Sequence, residues 1–329
     1  MPPTPDASAL AARLTTLSLR IDEIRCRVAP VALPSYPGIR RPSSVVTLAG
    51  RGEQGLGEHV GWTDQAHARF RRTVLGTPRG DWTLGAWTAA MRERIVEPYD
   101  RAALEAAAID LALRQHATNL FQLAGVTTAP PVRYVVSFAH ADPATEADRQ
   151  PGVELKVDAH PAWSDAVWAA LAAGGRVAVV DFKGSGDAAA ALRAHRALPT
   201  AFLEDPPAAP TPWPASFVAR LSLDASITST AALDAVSVGV AAVNVKPARM
   251  GGVLEALAAI ARCTAGGMTV YLGGMFETGV ARRQLRTLAA LFCPEAPNDV
   301  APLLGDEAIV RPRRLAVDVT RAGFGDAAC

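Results

Sequence analysis

The chain lacks any disulfide framework. Its four cysteines, Cys26, Cys263, Cys293 and Cys329, lie far apart and form no CxxC pair. Such spacing fits reduced thiols in a cytoplasmic protein. A charge imbalance is missing too. The 33 basic and 32 acidic residues leave a formal charge of +1, which gives no electrostatic case for nucleic acid or an anionic membrane as partner. Basic residues are scattered, apart from short clusters such as Arg311–Arg314 that read as solvated faces. No uncharged apolar run reaches membrane-spanning length, and the N-terminus, MPPTPDASAL, has no basic region ahead of an apolar stretch. Neither a signal peptide nor a transmembrane segment is expected. With 329 residues, 50% of them hydrophobic, disorder is excluded, and the length suits a large core split between two domains.

What the chain does have is a rhythm. Val177–Val180 runs into Asp181, Ala201–Leu203 into Glu204, Leu221–Leu223 into Asp224, and Ala241–Val245 into Lys246. The charged residues follow at intervals of 23, 20 and 22, and Lys156 closes a similar run, Val153–Leu155, 25 residues before Asp181. Each interval is about one strand plus one crossover helix. Alanine-rich helical stretches, Ala166–Ala173 and Ala188–Ala197, fill the gaps. Strands alternating with helices imply right-handed βαβ units. Seven or eight strands between Val132 and about Val300 predict a compact (β/α) TIM-type barrel, in which residues ending successive strands converge on one mouth.

The front of the chain does not share this rhythm. Leu19–Val31 alternates as a strand would, Pro34–Ser44 is turn-rich, and Val45–Leu48 with Gly50–Gly61 reads as a hairpin. Leu104–Ala117 has strong helix propensity and apolar positions three and four apart. The expectation is an α+β domain over residues 1–128, a barrel over 129–309, and a tail, 310–329, that returns to the front domain.

Asp181, Glu204 and Asp224 are hard oxygen donors of the kind Mg²⁺ prefers. Each follows a hydrophobic strand, where an unpaired charge would be costly. Pairing with arginines or helix capping would explain one such residue. Three in consecutive units, followed by a lysine, favour a metal site. Strand alternation puts Asn244 and Lys246 on the same inward side. A lysine beside a divalent cation is repelled in its charged form and can act as a base. Lys156 and Asp158 share one strand face, as do Asp181 and Lys183. Either Lys156 or Lys183 could be the second acid/base group. Gly184-Ser185-Gly186 lacks the third glycine of a dinucleotide loop and the GK[ST] of a P-loop. His160, the one histidine near the mouth, reads as structural.

At these residues the chain resembles the enolase superfamily, in its muconate-lactonizing-enzyme and mandelate-racemase-like branch. The motifs are LEDP at Leu203–Pro206, LDAS at Leu223–Ser226, NVKPARMGG at Asn244–Gly252 and YLGGMFETG at Tyr271–Gly279. GLGE at Gly55–Glu58 and AAAIDLAL at Ala106–Leu113 resemble its capping domain. The resemblance implies Mg²⁺ held by Asp181, Glu204 and Asp224, with Lys246 as acid/base catalyst. It implies a small-molecule carboxylate substrate whose α-proton is removed to a metal-stabilised enediolate. Asp158, Asn244, Glu277 and Asp299 would contact that substrate. A racemase, epimerase, cycloisomerase or o-succinylbenzoate-synthase-like lyase is expected, and a homo-oligomer is compatible with it. Two positions depart from the family pattern: its lysine-x-lysine appears as Lys156-Val157-Asp158, and its usual asparagine after the first ligand is Lys183. An acid-sugar dehydratase fits less well, because no histidine lies near Gly273–Glu277. A metal-containing barrel that only binds a carboxylate ligand or partner is the non-catalytic alternative.

Overall fold

The computed structural model describes residues 4–32, 40–138, 152–236, 239–301 and 313–325. The front domain begins with α1 (Ala7–Thr16), where Asp6 accepts hydrogen bonds from the Ser8 and Ala9 amides and Leu10 and Leu14 turn inward. β1 (Ser18–Ile21) pairs antiparallel with β5 (Gly80–Thr83), while β2 (Glu23–Ala32), β3 (Arg40–Gly50) and β4 (Glu53–His59) form a meander. α2 (Asp64–Leu75), α3 (Leu84–Arg94) and α4 (Pro98–Gln115) complete it. α4 buries nearly every residue from Ala102 to Leu113. β4 crosses it so closely that a Cβ on Gly57 would lie 1.9 Å from the Ala103 carbonyl oxygen, which is why the GLGE segment needs glycine there.

The described part of the turn-rich stretch Pro34–Ser44 is strand, not turn. Arg40–Ser44 belongs to β3, with Pro42 opposite Pro30 of β2. β4 pairs with β3 only as far as Ser44. Both prolines therefore lie on a two-stranded overhang, where a missing N–H costs little. Residues 34–39, the rest of that stretch, fall outside the described residues.

After the short β6 (Val132–Arg133), the second domain is built on parallel strands: β7 (Val135–Phe138), β8 (Glu154–Asp158), β9 (Val177–Asp181), β10 (Phe202–Glu204), β11 (Leu221–Leu223), β12 (Ala242–Val245) and β13 (Thr269–Leu272). Each is bonded to its neighbours in chain order. The eighth position is two residues long. Asn298 bridges in parallel to Tyr134 and Asp299 to Gly273. The Asn298 carbonyl accepts from the Val135 amide at 2.9 Å, and the Asp299 amide donates to the Leu272 carbonyl at 2.8 Å. These bonds close the ring between its first and last strands. Helices Asp165–Gly174, Ala188–Ala197, Val253–Ala265 and Val280–Phe292 cover its outside, with one-turn pieces Ala215–Val218 and Thr230–Asp234 between them. Among the described residues no helix is long and apolar enough to cross a membrane.

Two carboxylates from the front domain tie it to the barrel. Glu58 accepts from the amides of Thr278, Gly279 and Ala281 at the start of Val280–Phe292. Glu105 accepts from the Leu254 amide at the start of Val253–Ala265. Both satisfy orphan amides and complement the helix dipole. Burial pushes Glu105 up to about 7. The tail pairs antiparallel with Val132–Arg133 through Arg314–Leu315. It then reaches α4, where the Phe324 amide donates to Asp110.

Asn298 is fully buried, and its amide bonds at the seam: Oδ1 accepts from the Leu272 amide, and Nδ2 donates to the Arg133, Cys293 and Ala296 carbonyls. Asn298→Leu keeps the volume and removes these side-chain bonds from buried backbone groups, so it should destabilise the protein by about 2–4 kcal/mol. Denaturant unfolding measures this; a loss below about 1 kcal/mol would mean the seam does not close the barrel.

Candidate metal centre and active site

β9, β10 and β11 are short, apolar and buried, and each delivers a carboxylate where the strand gives out. The oxygens of Asp181, Glu204 and Asp224 come within 4.8 Å of one another, and all three residues are buried. Between β8 and β9 the register shifts at Leu155/Lys156. This irregularity accompanies the Lys156 side chain into the ring. Lys156 Nζ bonds Glu204 Oε1 and lies 3.2 Å from Asp181 Oδ2. From the far side Lys246 Nζ reaches Asp224 Oδ2 at 2.7 Å, and Arg249 Nη1 takes Asp224 Oδ1 at 2.6 Å. Lys183 Nζ bridges Asp181 Oδ2 at 2.8 Å and Asp158 Oδ1 at 3.1 Å, with its side chain 57% exposed.

The electrostatics follow from this crowding. Burial opposes the charge of Asp181, yet Lys156 and Lys183 hold its carboxyl below the usual range. Asp224 is likewise held low, against burial, by Lys246, Lys156 and Arg249. Glu204 is the exception. Burial, together with the Asp181 and Asp224 charges, pushes it up to about 8 despite Lys156. Lys156 is driven well above its ordinary value, burial notwithstanding, because Glu204, Asp181 and Asp224 all face it. Three hard oxygen donors share one small volume, with one of them reluctant to ionise. That donor set fits a divalent cation, whose charge would complete it.

The other sequence-derived residues are also placed. Asn244 is buried, with Nδ2 3.4 Å from both Glu204 oxygens. A Cβ on Gly273 would stand 2.2 Å from Asn244 Oδ1 and 2.8 Å from Lys246 Cε, so the first glycine of YLGGM makes room for both side chains. Burial raises Asp158 above its ordinary value against the pull of Lys183. The Glu277 carboxylate accepts from the Met275 amide at 2.8 and 2.9 Å and is raised by burial. Asp299 lies beside the β13 end, bonded through its backbone. Lys183, Asp205 and Phe276 hold positive φ of 51°, 43° and 66°. Strained backbone at non-glycine residues gathers at functional sites.

Sequence reasoning missed several contributors. Tyr271 donates its hydroxyl to Glu204 Oε2 and meets Ser222 Oγ at 2.7 Å. Asp205 accepts from the amides of Asp224 and Ala225 and so fixes the turn after β11. Arg249 was not singled out either. The register of β12 with β13, which sets Asn244 beside Tyr271, was not derivable from either strand alone. One signal was legible: the chain contains three lysines, Lys156, Lys183 and Lys246, and all other basic side chains are arginine. All three lysines stand at this site.

The N-terminal and C-terminal models of a domain of unknown function, DUF8230, match residues 12–123 and 128–306 in that order. A dipeptide epimerase from Methylococcus capsulatus, solved with a Mg ion, is similar over 93% of this chain and 99% of its own, with 22% identity and a TM-score of 0.73. A muconate cycloisomerase from Pseudomonas fluorescens is similar over 93% and 95%, with 20% identity and a TM-score of 0.73. An N-succinylamino acid racemase from an Amycolatopsis species is 45% identical over 83 residues, 25% of this chain and 23% of that protein. The o-succinylbenzoate synthase of Bacillus subtilis is 42% identical over 72 residues, 21% of this chain and 19% of that protein. The chain thus spans about a quarter or less of the length of these curated relatives. The chain belongs to the DUF8230 family, and its capped barrel has the fold of these dipeptide epimerase and muconate cycloisomerase structures.

Proposed function

We propose that the protein is a Mg²⁺-dependent isomerase or lyase that moves the proton α to a substrate carboxylate. Racemisation or epimerisation, cycloisomerisation and o-succinylbenzoate-synthase-like dehydration are the reactions it could run. The observation that carries this reading is the placement of two lysines. Lys156 enters from the second strand of the ring and Lys246 from the sixth, and the two ends of that diameter meet at the carboxylate triad. Bases on opposite sides of one bound carbon can take a proton from one face and return one to the other.

Asp181, Glu204 and Asp224 would hold the cation. Once bound, Mg²⁺ draws charge from a carboxylate and makes the neighbouring C–H more acidic. Lys246 would remove or return the proton at the α-carbon on its side. Lys156 would serve the other face. Lys183 is the weaker candidate for that task, since its side chain is 57% exposed where that of Lys156 is buried at the triad; we assign it to holding Asp158 and Asp181 in place. Asn244 and Glu277 are occupied by Glu204 and by the Met275 amide, and we assign them to shaping the site. Asp158 and Asp299 are left as the acidic groups for substrate contact. The likeness in fold to a dipeptide epimerase and a muconate cycloisomerase, and the short matches to a racemase and a synthase, support this chemical class.

The proton on Glu204 gives the metal a pH signature. A carboxyl raised to about 8 keeps its proton in the folded protein, where the unfolded chain has already lost it. Metal-free stability should therefore fall as pH rises from the ordinary carboxylate range toward about 8. Mg²⁺ displaces that proton, so its stabilisation should grow over the same window. Thermal melts with EDTA and with millimolar Mg²⁺ should differ little at about pH 6 and by several degrees at about pH 9, and Glu204→Gln should abolish the difference. Coincident melts at both pH values would contradict the metal assignment.

Catalysis is tested by exchange. Wild-type protein in D₂O should wash deuterium into the α-position of at least one member of a panel of N-acylamino acids, dipeptides and cyclic carboxylates. Lys246→Met keeps the apolar stem and should slow that exchange by at least ~10²-fold while leaving the Mg²⁺-dependent melt intact. A protein that binds Mg²⁺ and ligand yet exchanges nothing would be a binding barrel instead.

A further inference from the structure

The barrel interior beneath the carboxylates is neither empty nor purely apolar. Tyr271, on β13, is fully buried there. Its ring lies parallel to Phe202 of β10, with an interplanar angle of 6° and centroids 5.9 Å apart. Its hydroxyl meets Ser222 Oγ of β11 at 2.7 Å and donates to Glu204 Oε2. Glu204 is thereby divided. Oε2 is taken by the phenol from below, while Oε1 faces Asp181 across the Lys156 amine, which contacts both. Asn244 Nδ2, 3.4 Å from each oxygen, closes the side between them. A carboxylate with one oxygen engaged this way presents its other oxygen to a cation at lower cost.

Resting on the metal site proposed above, we infer that Tyr271 is a positioning residue that makes Glu204 a one-oxygen ligand and thereby sets the preference of the site for Mg²⁺ over Ca²⁺. Mg²⁺ demands near-octahedral single-oxygen contacts, whereas Ca²⁺ accepts two oxygens of one carboxylate and a looser, larger shell. With the phenol in place, two-oxygen binding would require Glu204 to give up a buried hydrogen bond, which is costly. Ser222 keeps the phenol aimed, and the parallel Phe202 ring keeps its plane.

The test is a metal titration of the full-length protein with Mg²⁺ alone and Ca²⁺ alone, by calorimetry and by thermal shift, on wild type, Tyr271→Phe and Ser222→Ala. Tyr271→Phe should weaken Mg²⁺ binding about tenfold while changing Ca²⁺ binding by less than about twofold, so the Mg²⁺/Ca²⁺ affinity ratio falls about tenfold. Ser222→Ala should move the ratio the same way by a smaller factor, and it decides the matter if Tyr271→Phe does not fold. A purely structural tyrosine would lower the metal-free melt and weaken both metals in parallel; an unchanged ratio in a variant that folds would overturn the inference. Wild-type protein that takes up neither metal would overturn the metal site itself, and this inference with it.

Discussion

Three carboxylates held within 4.8 Å at one end of a parallel barrel repel one another, and much of the rest of the structure answers that repulsion. Lys156, Lys183, Lys246 and Arg249 all turn their charge onto these oxygens. Tyr271 and Asn244 supply neutral donors to the most buried of them, Glu204. Even so, the cluster does not balance: burial leaves Glu204 raised to about 8. Buried charge that is only partly compensated destabilises a fold. A site with this defect stores it for something, and a divalent cation is the group whose charge and donor preference remove it.

The closed ring is what fixes the geometry. Because each strand pairs with the next in chain order, residues that end alternate strands meet across the mouth rather than along a surface. Lys156 and Lys246 are 90 positions apart in the chain, yet both stand at the triad. The eighth position does this with two residues, since Asn298 replaces a longer ladder with side-chain bonds to four backbone groups. Glu58 and Glu105 then set the front domain against the barrel helices. Arg41 of β3 adds a third tie, reaching the Phe276 carbonyl beside the mouth, with its guanidinium 5.3 Å from the Trp62 ring.

Much of this was legible in the sequence because parallel strands buried on both faces read as plain apolar runs, and a charge at the end of each is conspicuous. The runs ending in Asp181, Glu204, Asp224 and Lys246 named their own strands. The eighth strand was harder, since Asn298-Asp299 has no apolar run to announce it. Pro42 in RRPSS reads as a turn, and only the end of β4 pairing at Ser44 explains why a strand tolerates it. Nothing in the YLGGMFETG segment itself marks Tyr271 as part of the site. Its role depends on Ser222 and Glu204, 49 and 67 residues away, and on a register between strands that no single segment encodes. The three lysines were the plainest signal of all: in a chain whose surface cations are arginine, each lysine kept is at the site.

The account stands or falls on whether Asp181, Glu204 and Asp224 bind one cation together. Crystals grown with Mn²⁺ as a stand-in for Mg²⁺, measured for anomalous scattering, answer this without reference to substrate or turnover. The account predicts a single strong peak about 2.0–2.3 Å from one oxygen of each of the three carboxylates, with the Lys156 amine moved off Glu204. A peak bonded elsewhere on the chain, or none at the triad with Lys156 still on Glu204, would contradict it.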